Sequence, residues 1–195
     1  MLLDGLRIGF AITGSHCTLH ETTQVMSKLV AQGVHITPIL SYSVENSDTR
    51  FGKAADWQEK FSQISQRDLI RSIAQAESIG PAKPFDCLLI APCTGNTIAK
   101  LANGITDTPV LMAAKAHLRN LLPLVIAVST NDGLGLNARN IATLLVTKNI
   151  YFVPFGQDSP DKKANSLVAH MHKIPETILL ACQGVQIQPL LVEYR

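Results

Sequence analysis

Charge is scarce in this 195-residue chain: Asp, Glu, Lys and Arg make up only 16% of it, and the formal net charge is +2. So mild a balance, with no Lys/Arg cluster interleaved with aromatics, excludes a nucleic-acid surface built on phosphate neutralisation. Cysteine is sparse as well. Cys17, Cys87, Cys93 and Cys182 are scattered without a Cys-x-x-Cys pair, which excludes a disulfide framework and a zinc site and points to a reducing compartment. His16, Cys17 and His20 stand close together, but no carboxylate or second cluster completes a ligand set, so no metal is expected. Long apolar runs are missing, none approaching the roughly 20 residues of a membrane span. The apolar start from Met1 to Ile12 carries Asp4 and Arg7 and lacks a small-residue cleavage site, so it reads as a first strand rather than a leader. The expectation is a soluble cytoplasmic protein that engages neither membrane nor nucleic acid.

What the chain does have is apolar content, at 46%. With so few charges, part of that apolar surface is expected to be covered by further copies of the chain. Short apolar runs alternate with segments of helical period. Leu6–Ile12, Val34–Leu40, Asp86–Ala91, Pro123–Val128 and Ile150–Val153 read as strands. Helices are expected between them: one carrying Met26, Leu29 and Val30, two pieces at Trp57–Ile64 and Arg67–Ser78, then 96–102, Thr108–Leu118 and Asn137–Thr147. Ser41 to Asp56 reads as a loop. Leu167, Met171, Ile174 and Ile178 at helical spacing predict a last helix over 160–181, restarted at Pro175, with His170 and His172 on its surface. Repeated strand–helix–strand units make a three-layer open parallel sheet with helices on both faces, flavodoxin-like or Rossmann-like. Residues 1–195 are expected to form a single domain, with 184–195 a candidate C-terminal arm.

Ligands of such sheets bind at the carboxyl ends of the strands. After strand one comes Thr13-Gly14-Ser15-His16-Cys17-Thr18, a tight turn with hydroxyls leading into a helix N-terminus, which suits a phosphate. It is neither a GxGxxG nor a Walker A loop. Strand two ends at Ser41-Tyr42-Ser43, with no acid before Glu45 to hold an adenosine ribose, which disfavours NAD. After strand three, Thr94, Gly95, Asn96 and Thr97 cap another helix whose N-terminus faces the same rim.

The run Pro92-Cys93-Thr94-Gly95-Asn96-Thr97, followed by Lys100 and Ala102-Asn103-Gly104-Ile105-Thr106-Asp107, resembles the homo-oligomeric flavin-containing cysteine decarboxylase family, which also holds the flavin prenyltransferases. The resemblance implies an FMN cofactor. Gly14, Ser15 and Ser41 would hold its ribityl phosphate arm, with Thr13 beside them, and Cys93, Thr94, Asn96 and Thr97 would border the rings. It also implies a homo-oligomer, a trimer or a multiple of one.

The chain departs from both branches. No His occurs between His35 and His117, where the decarboxylases carry a catalytic one, and Val128-Ser129-Thr130-Asn131 replaces their Pro-x-Met-Asn. Ser129 stands where the prenyltransferases carry an Arg. The segments Ser129–Asn140, Thr147–Asp158 and Lys115–Asn120 instead resemble the B-subunit family of bacterial dipicolinate synthases, over essentially the whole chain. That implies the synthase's A subunit as partner, a small dicarboxylate substrate, and oxidation of a dihydro- or hydroxytetrahydro-dipicolinate to dipicolinate in the mother cell of a sporulating bacterium. Cationic and amide donors suit a dicarboxylate. Lys115, His117, Arg119 and Arg139 are the cations weighed, with His117 read as structural, and Asn131 and Asp132 stand at the mouth of strand four. Asn96, Asn131 and Arg119 are the expected catalytic residues. Two alternatives stay open: a non-catalytic partner that stabilises or channels to the A subunit, and a cysteine decarboxylase-type flavoenzyme.

Overall fold

The computed structural model describes residues 3–193; Met1, Leu2, Tyr194 and Arg195, ends of the expected first strand and arm, lie outside them. Five strands run parallel: β1 (Arg7–Ile12), β2 (His35–Leu40), β3 (Cys87–Cys93), β4 (Leu124–Thr130) and β5 (Ile150–Phe152). Their order is β2-β1-β3-β4-β5. Every residue of β3 is buried, and β4 is buried up to Thr130, as a strand covered by helices on both faces must be. Pro38 is tolerated in β2 because β2 is an edge, where a missing N–H breaks no ladder. That edge is partly covered by residue 70, whose amide donates to Pro38 O at 2.9 Å and whose carbonyl accepts from Leu40 at 2.9 Å.

The connections are helices: α1 (Leu19–Ala31), α2 (Tyr42–Asn46), α3 (Ala54–Ser65), α4 (Ile73–Glu77), α5 (Ile79–Ala82), α6 (Gly95–Ala102), α7 (Pro109–Leu118) and α8 (Ala138–Leu145). α7 opens on Pro109 behind the Thr108 cap, whose hydroxyl accepts the Leu111 N–H, the position where a missing amide costs least. α4 begins at a reciprocal Ser72/Gln75 capping box. The expected loop after β2 therefore holds a short helix, and the expected 67–78 helix begins only at Ile73.

The last third departs further. Instead of one helix over 160–181, the chain forms β6 (Phe155–Gly156) and β7 (Leu167–Ala169), then α9 (Ile174–Ala181). β7 pairs antiparallel with the far end of β4 at Ser129 and Thr130, and β6 pairs with β7. The sheet is thus mixed, its parallel part as expected and its last strands antiparallel. Ser166 to Ala169 is buried on both faces, and a short apolar run of this kind is ambiguous between strand and helix by spacing alone. His170 and His172 lie between β7 and α9 rather than on a long helix.

The described part of the tail packs along β6, with Phe155 N–H to Leu190 O and Val192 N–H to Phe155 O, both at 3.0 Å. The Gln186 side chain closes the outer edge of β5, donating to Phe152 O and accepting Phe152 N–H at 2.8 Å each, so the edge has no open ladder there. In the lightly charged apolar stretches 105–114 and 187–192, Leu111, Ala113 and Ile187 are buried within this chain, while Ile105 (45%) and Leu191 (73%) are exposed. Further large apolar side chains are exposed elsewhere, among them Leu134 (50%), Leu136 (81%) and Val146 (87%). No helix among the described residues is long and apolar enough to cross a membrane.

His117, on the last turn of α7, is buried with Nε2 3.1 Å from Pro123 O. Burial pushes its pKa from 6.5 down to about 4, because charging it strands an imidazolium out of water. Unfolding restores the ordinary value. Its contribution is therefore full above about pH 6.5 and is lost as pH falls toward about 4, some 3 kcal/mol in all. His117→Gln keeps a donor for Pro123 O and removes the titration. Urea unfolding at pH 7 and pH 4.5 should show the wild type losing more stability than the variant; equal losses would assign the acid sensitivity elsewhere.

Candidate functional site

Strand order reverses between β1 and β3, and their carboxyl ends open on two cavities of about 790 and 410 Å³ that share Gly14, Thr94 and Asn96. One buried hydroxyl joins the two ends. Thr13 Oγ1 donates to Pro92 O at 2.6 Å and accepts the Thr94 N–H at 3.0 Å. Thr94 is thereby fixed as the cap of α6, its hydroxyl accepting the Thr97 N–H at 3.4 Å. The first bond of the helix ladder is Ile98 N–H to Thr94 O. The amides of Gly95 and Asn96 precede it, outside that ladder, which is the arrangement that binds anions.

Gly95 is required by a close approach. A Cβ there would fall 2.5 Å from Thr130 Oγ1, 2.6 Å from Asn137 Nδ2 and 2.7 Å from Asp132 Oδ1. These atoms belong to one network: the Asp132 carboxylate accepts from the Thr130 hydroxyl and from Asn137 Nδ2, and Asn140 Nδ2 donates to Asn137 Oδ1 at 2.8 Å. It holds the loop after β4 against the first turn of α6. On the other side, the Ser15 and Ser129 hydroxyls are 2.7 Å apart, tying the loop after β1 to the end of β4.

The smaller cavity is lined by Thr13, Gly14, Ser41, Thr94, Asn96 and Thr97 among others. Ser41 is only 8% exposed, and its Oγ has no hydrogen-bond partner. A buried hydroxyl left unpaired costs about 1–3 kcal/mol, a cost that a ligand oxygen in the cavity would remove. The larger cavity is lined by Gly14, Ser15, His16, Thr94, Asn96 and Asn131, with Arg50, Phe51 and Lys163 farther out. His16 Nε2 lies 3.3 Å from Ser43 Oγ. Burial lowers the His16 pKa below its ordinary 6.5, so the imidazole is neutral at pH 7.

Of the residues expected from the sequence, Thr13, Gly14, Ser15, Ser41, Thr94, Asn96, Thr97 and Asn131 meet at these two cavities. Cys93 does not: it is fully buried inside β3 and lines neither, and burial raises its thiol pKa so that it stays protonated. Arg119 does not either. It caps the C-terminus of α7, against Gly80. α7 runs back from the strand ends toward the start of β4, which puts Arg119 at the opposite end of the sheet. Lys115, His117 and Arg139 likewise line neither cavity. Arg50, Phe51 and Lys163 were missed as cavity residues. The signal available for Arg50 and Phe51 was their place in a long connection at a strand's carboxyl end, where such loops are usually functional.

The chain matches the Flavoprotein family model over residues 2–178. It is 50% identical over 191 residues to the B subunit of dipicolinate synthase from Bacillus subtilis (strain 168), covering 98% of this chain and 96% of that one. The crystal structure of the dipicolinate synthase B subunit from Bacillus halodurans superposes with a TM-score of 0.92 at 51% identity, covering 100% of both chains. An FMN-dependent cysteine decarboxylase shares the fold at a TM-score of 0.67 and 20% identity, over 92% of this chain and 98% of that one.

Gly95→Ala should force the Asp132 network apart, costing about 1–3 kcal/mol as overpacking does. A melting temperature unchanged by the substitution would show that the loop after β4 yields freely and does not brace α6.

Proposed function

The chain belongs to the Flavoprotein family, and on that footing we propose that it binds FMN and serves as the B subunit of a dipicolinate synthase. The observation that carries the reading is the 50% identity, over 191 residues, with the Bacillus subtilis protein. The cavities are its physical counterpart. Ser41 Oγ, the Gly14–Ser15 turn and the free amides of Gly95 and Asn96, on the walls of the two cavities, would hold the phosphate end of the cofactor, with Thr94 and Thr97 beside it. The rings would extend along Asn96 toward Ser129 and Asn131 in the larger cavity.

The substrate is a small dicarboxylate, a dihydrodipicolinate or its hydroxytetrahydro precursor, which reaches the same state by losing water. Aromatisation then releases one hydride and one proton, and bound flavin supplies the hydride acceptor. Asp132 is poorly placed to take the proton, since both its oxygens already accept hydrogen bonds. His16, neutral through burial, lines the same cavity and would take it. Asn131 orients the substrate at the mouth of β4. The synthase's A subunit is the partner, by the name of the relative, and a homotrimer or a multiple of it is the expected assembly.

Titrating FMN into the apoprotein while following flavin fluorescence tests the cofactor. Binding is expected at submillimolar FMN, abolished by Ser15→Asp, which sets an anion against the phosphate, and weakened severalfold by Ser41→Ala. No binding by the wild type would sink the flavin site. In a mixture with the A subunit, the FMN-loaded chain should raise the rate of dipicolinate formation; a rate indifferent to FMN loading would leave it without an oxidative role.

Light scattering at micromolar concentration tests the assembly. Leu134, Leu136 and Val146 expose apolar surface that a partner copy would cover, so Leu136→Glu should lower the mass toward that of one chain. A clean monomer for the wild type removes the trimer.

A further inference from the structure

The larger cavity carries two cations on its outer rim, and they differ in state. Lys163 Nζ is already 3.1 Å from Asp158. Arg50 makes no ion pair with any described residue. Its guanidinium carbon lies 4.8 Å from the centre of the Phe51 ring, and Phe51 is itself 41% exposed. An unpaired Arg stacked on an exposed aromatic at the mouth of a cavity is suited to a flat anion, because the guanidinium fork matches a carboxylate and the ring offers a face.

The segment that presents them is built. Thr49 and Gly52 exchange backbone hydrogen bonds in both directions, at 3.0 and 3.1 Å, and Asp48 Oδ1 accepts the Ala54 N–H at 2.9 Å. Gly52 adopts φ +138°, and a Cβ there would fall 2.7 Å from Trp57 Nε1. Trp57 in turn stacks on the buried Phe61, with ring centres 6.2 Å apart. The turn is therefore seated on α3, and Arg50 and Phe51 project from it together. They are absent from the smaller cavity, where Ser41, Asn96 and Thr97 stand, so Arg50 lies outside the part of the phosphate cradle built on Ser41.

We propose that Arg50 and Phe51 are the substrate-reading pair of this site: Arg50 binds one carboxylate of the planar dicarboxylate, and Phe51 packs on its ring. The inference rests on the dipicolinate reading above and names the residues that would select that substrate class. They replace Arg119, which the fold carries to the other end of the sheet.

Calorimetric titration of dipicolinate into the full chain, with and without FMN, tests it on the wild type, Arg50→Ala, Arg50→Lys and Phe51→Ala. Wild type should bind at submillimolar dipicolinate. Arg50→Ala should weaken binding at least tenfold, the usual loss for a charged hydrogen-bond partner, and Arg50→Lys should restore only part, since an ammonium lacks the fork. Phe51→Ala should weaken binding severalfold. FMN affinity should stay the same in all three variants, and in the mixture with the A subunit the Arg50→Ala defect should appear mainly in KM. Dipicolinate binding equal in wild type and Arg50→Ala overturns the inference, and so does absence of dipicolinate binding by the wild type. Failure of FMN to bind is a separate result: it removes the flavin site while the dipicolinate titration still decides the role of Arg50.

Discussion

The hydroxyl of Thr13 stands between the two strands at which the sheet changes direction, and the site is organised around it. As donor it holds Pro92 O; as acceptor it holds the Thr94 amide. A side chain 1% exposed has no water to fall back on, so both bonds must be made inside the protein. Their joint effect is to set the register between the loop after β1 and the cap of α6. Asn96 then lines the smaller cavity with Gly14 and Ser41, and Gly95 the larger one with Gly14 and Ser15. A valine methyl could pack in the same space, but only an oxygen that both gives and accepts can bind two strand ends at once.

The chemistry of the cavities follows from low charge. Their inner walls are mostly hydroxyls, amides and one neutral imidazole, with the Asp132 carboxylate held by Thr130 and Asn137 and Lys100 of the smaller cavity paired with Asp107. Neutral donors of this kind favour an anion without drawing in a competing counter-ion. The scarcity of charge evident in the composition thus has a local meaning at the site: among the described residues Arg50 has no carboxylate ion-pair partner.

The antiparallel β6–β7 pair makes the second wall. By pairing β7 to Ser129 and Thr130, the fold extends β4 beyond its parallel neighbours and brings Val168 and Ser166 to the cavity edge. Lys163 and Asp158 come with the loop that joins the two strands. Local spacing predicts helix over the same stretch, since its apolar residues do recur at helical intervals. The pairing that overrides that pattern is with a partner some forty residues away in sequence, which no local window contains.

The sequence alone determined the parallel five-strand core, because continuous apolar runs separated by amphipathic segments can be buried in few other ways. It also brought out Gly14, Ser15, Ser41, Thr94 and Asn96 as residues that line the cavities at the strand ends, since glycine and hydroxyls at a strand end followed by a helix carry their chemistry in local order. The tertiary structure decided the rest. It placed Arg119 at the far end of the sheet, because a helix returning to the start of β4 carries its C-terminus away from the strand tips. It sealed Cys93 within β3, and it brought Arg50 and Phe51 over the cavity through a turn seated on Trp57. Which end of a helix faces a ligand is fixed by strand direction. Which loop reaches across a cavity is fixed by the packing beneath it, and neither is written in the spacing of the residues themselves.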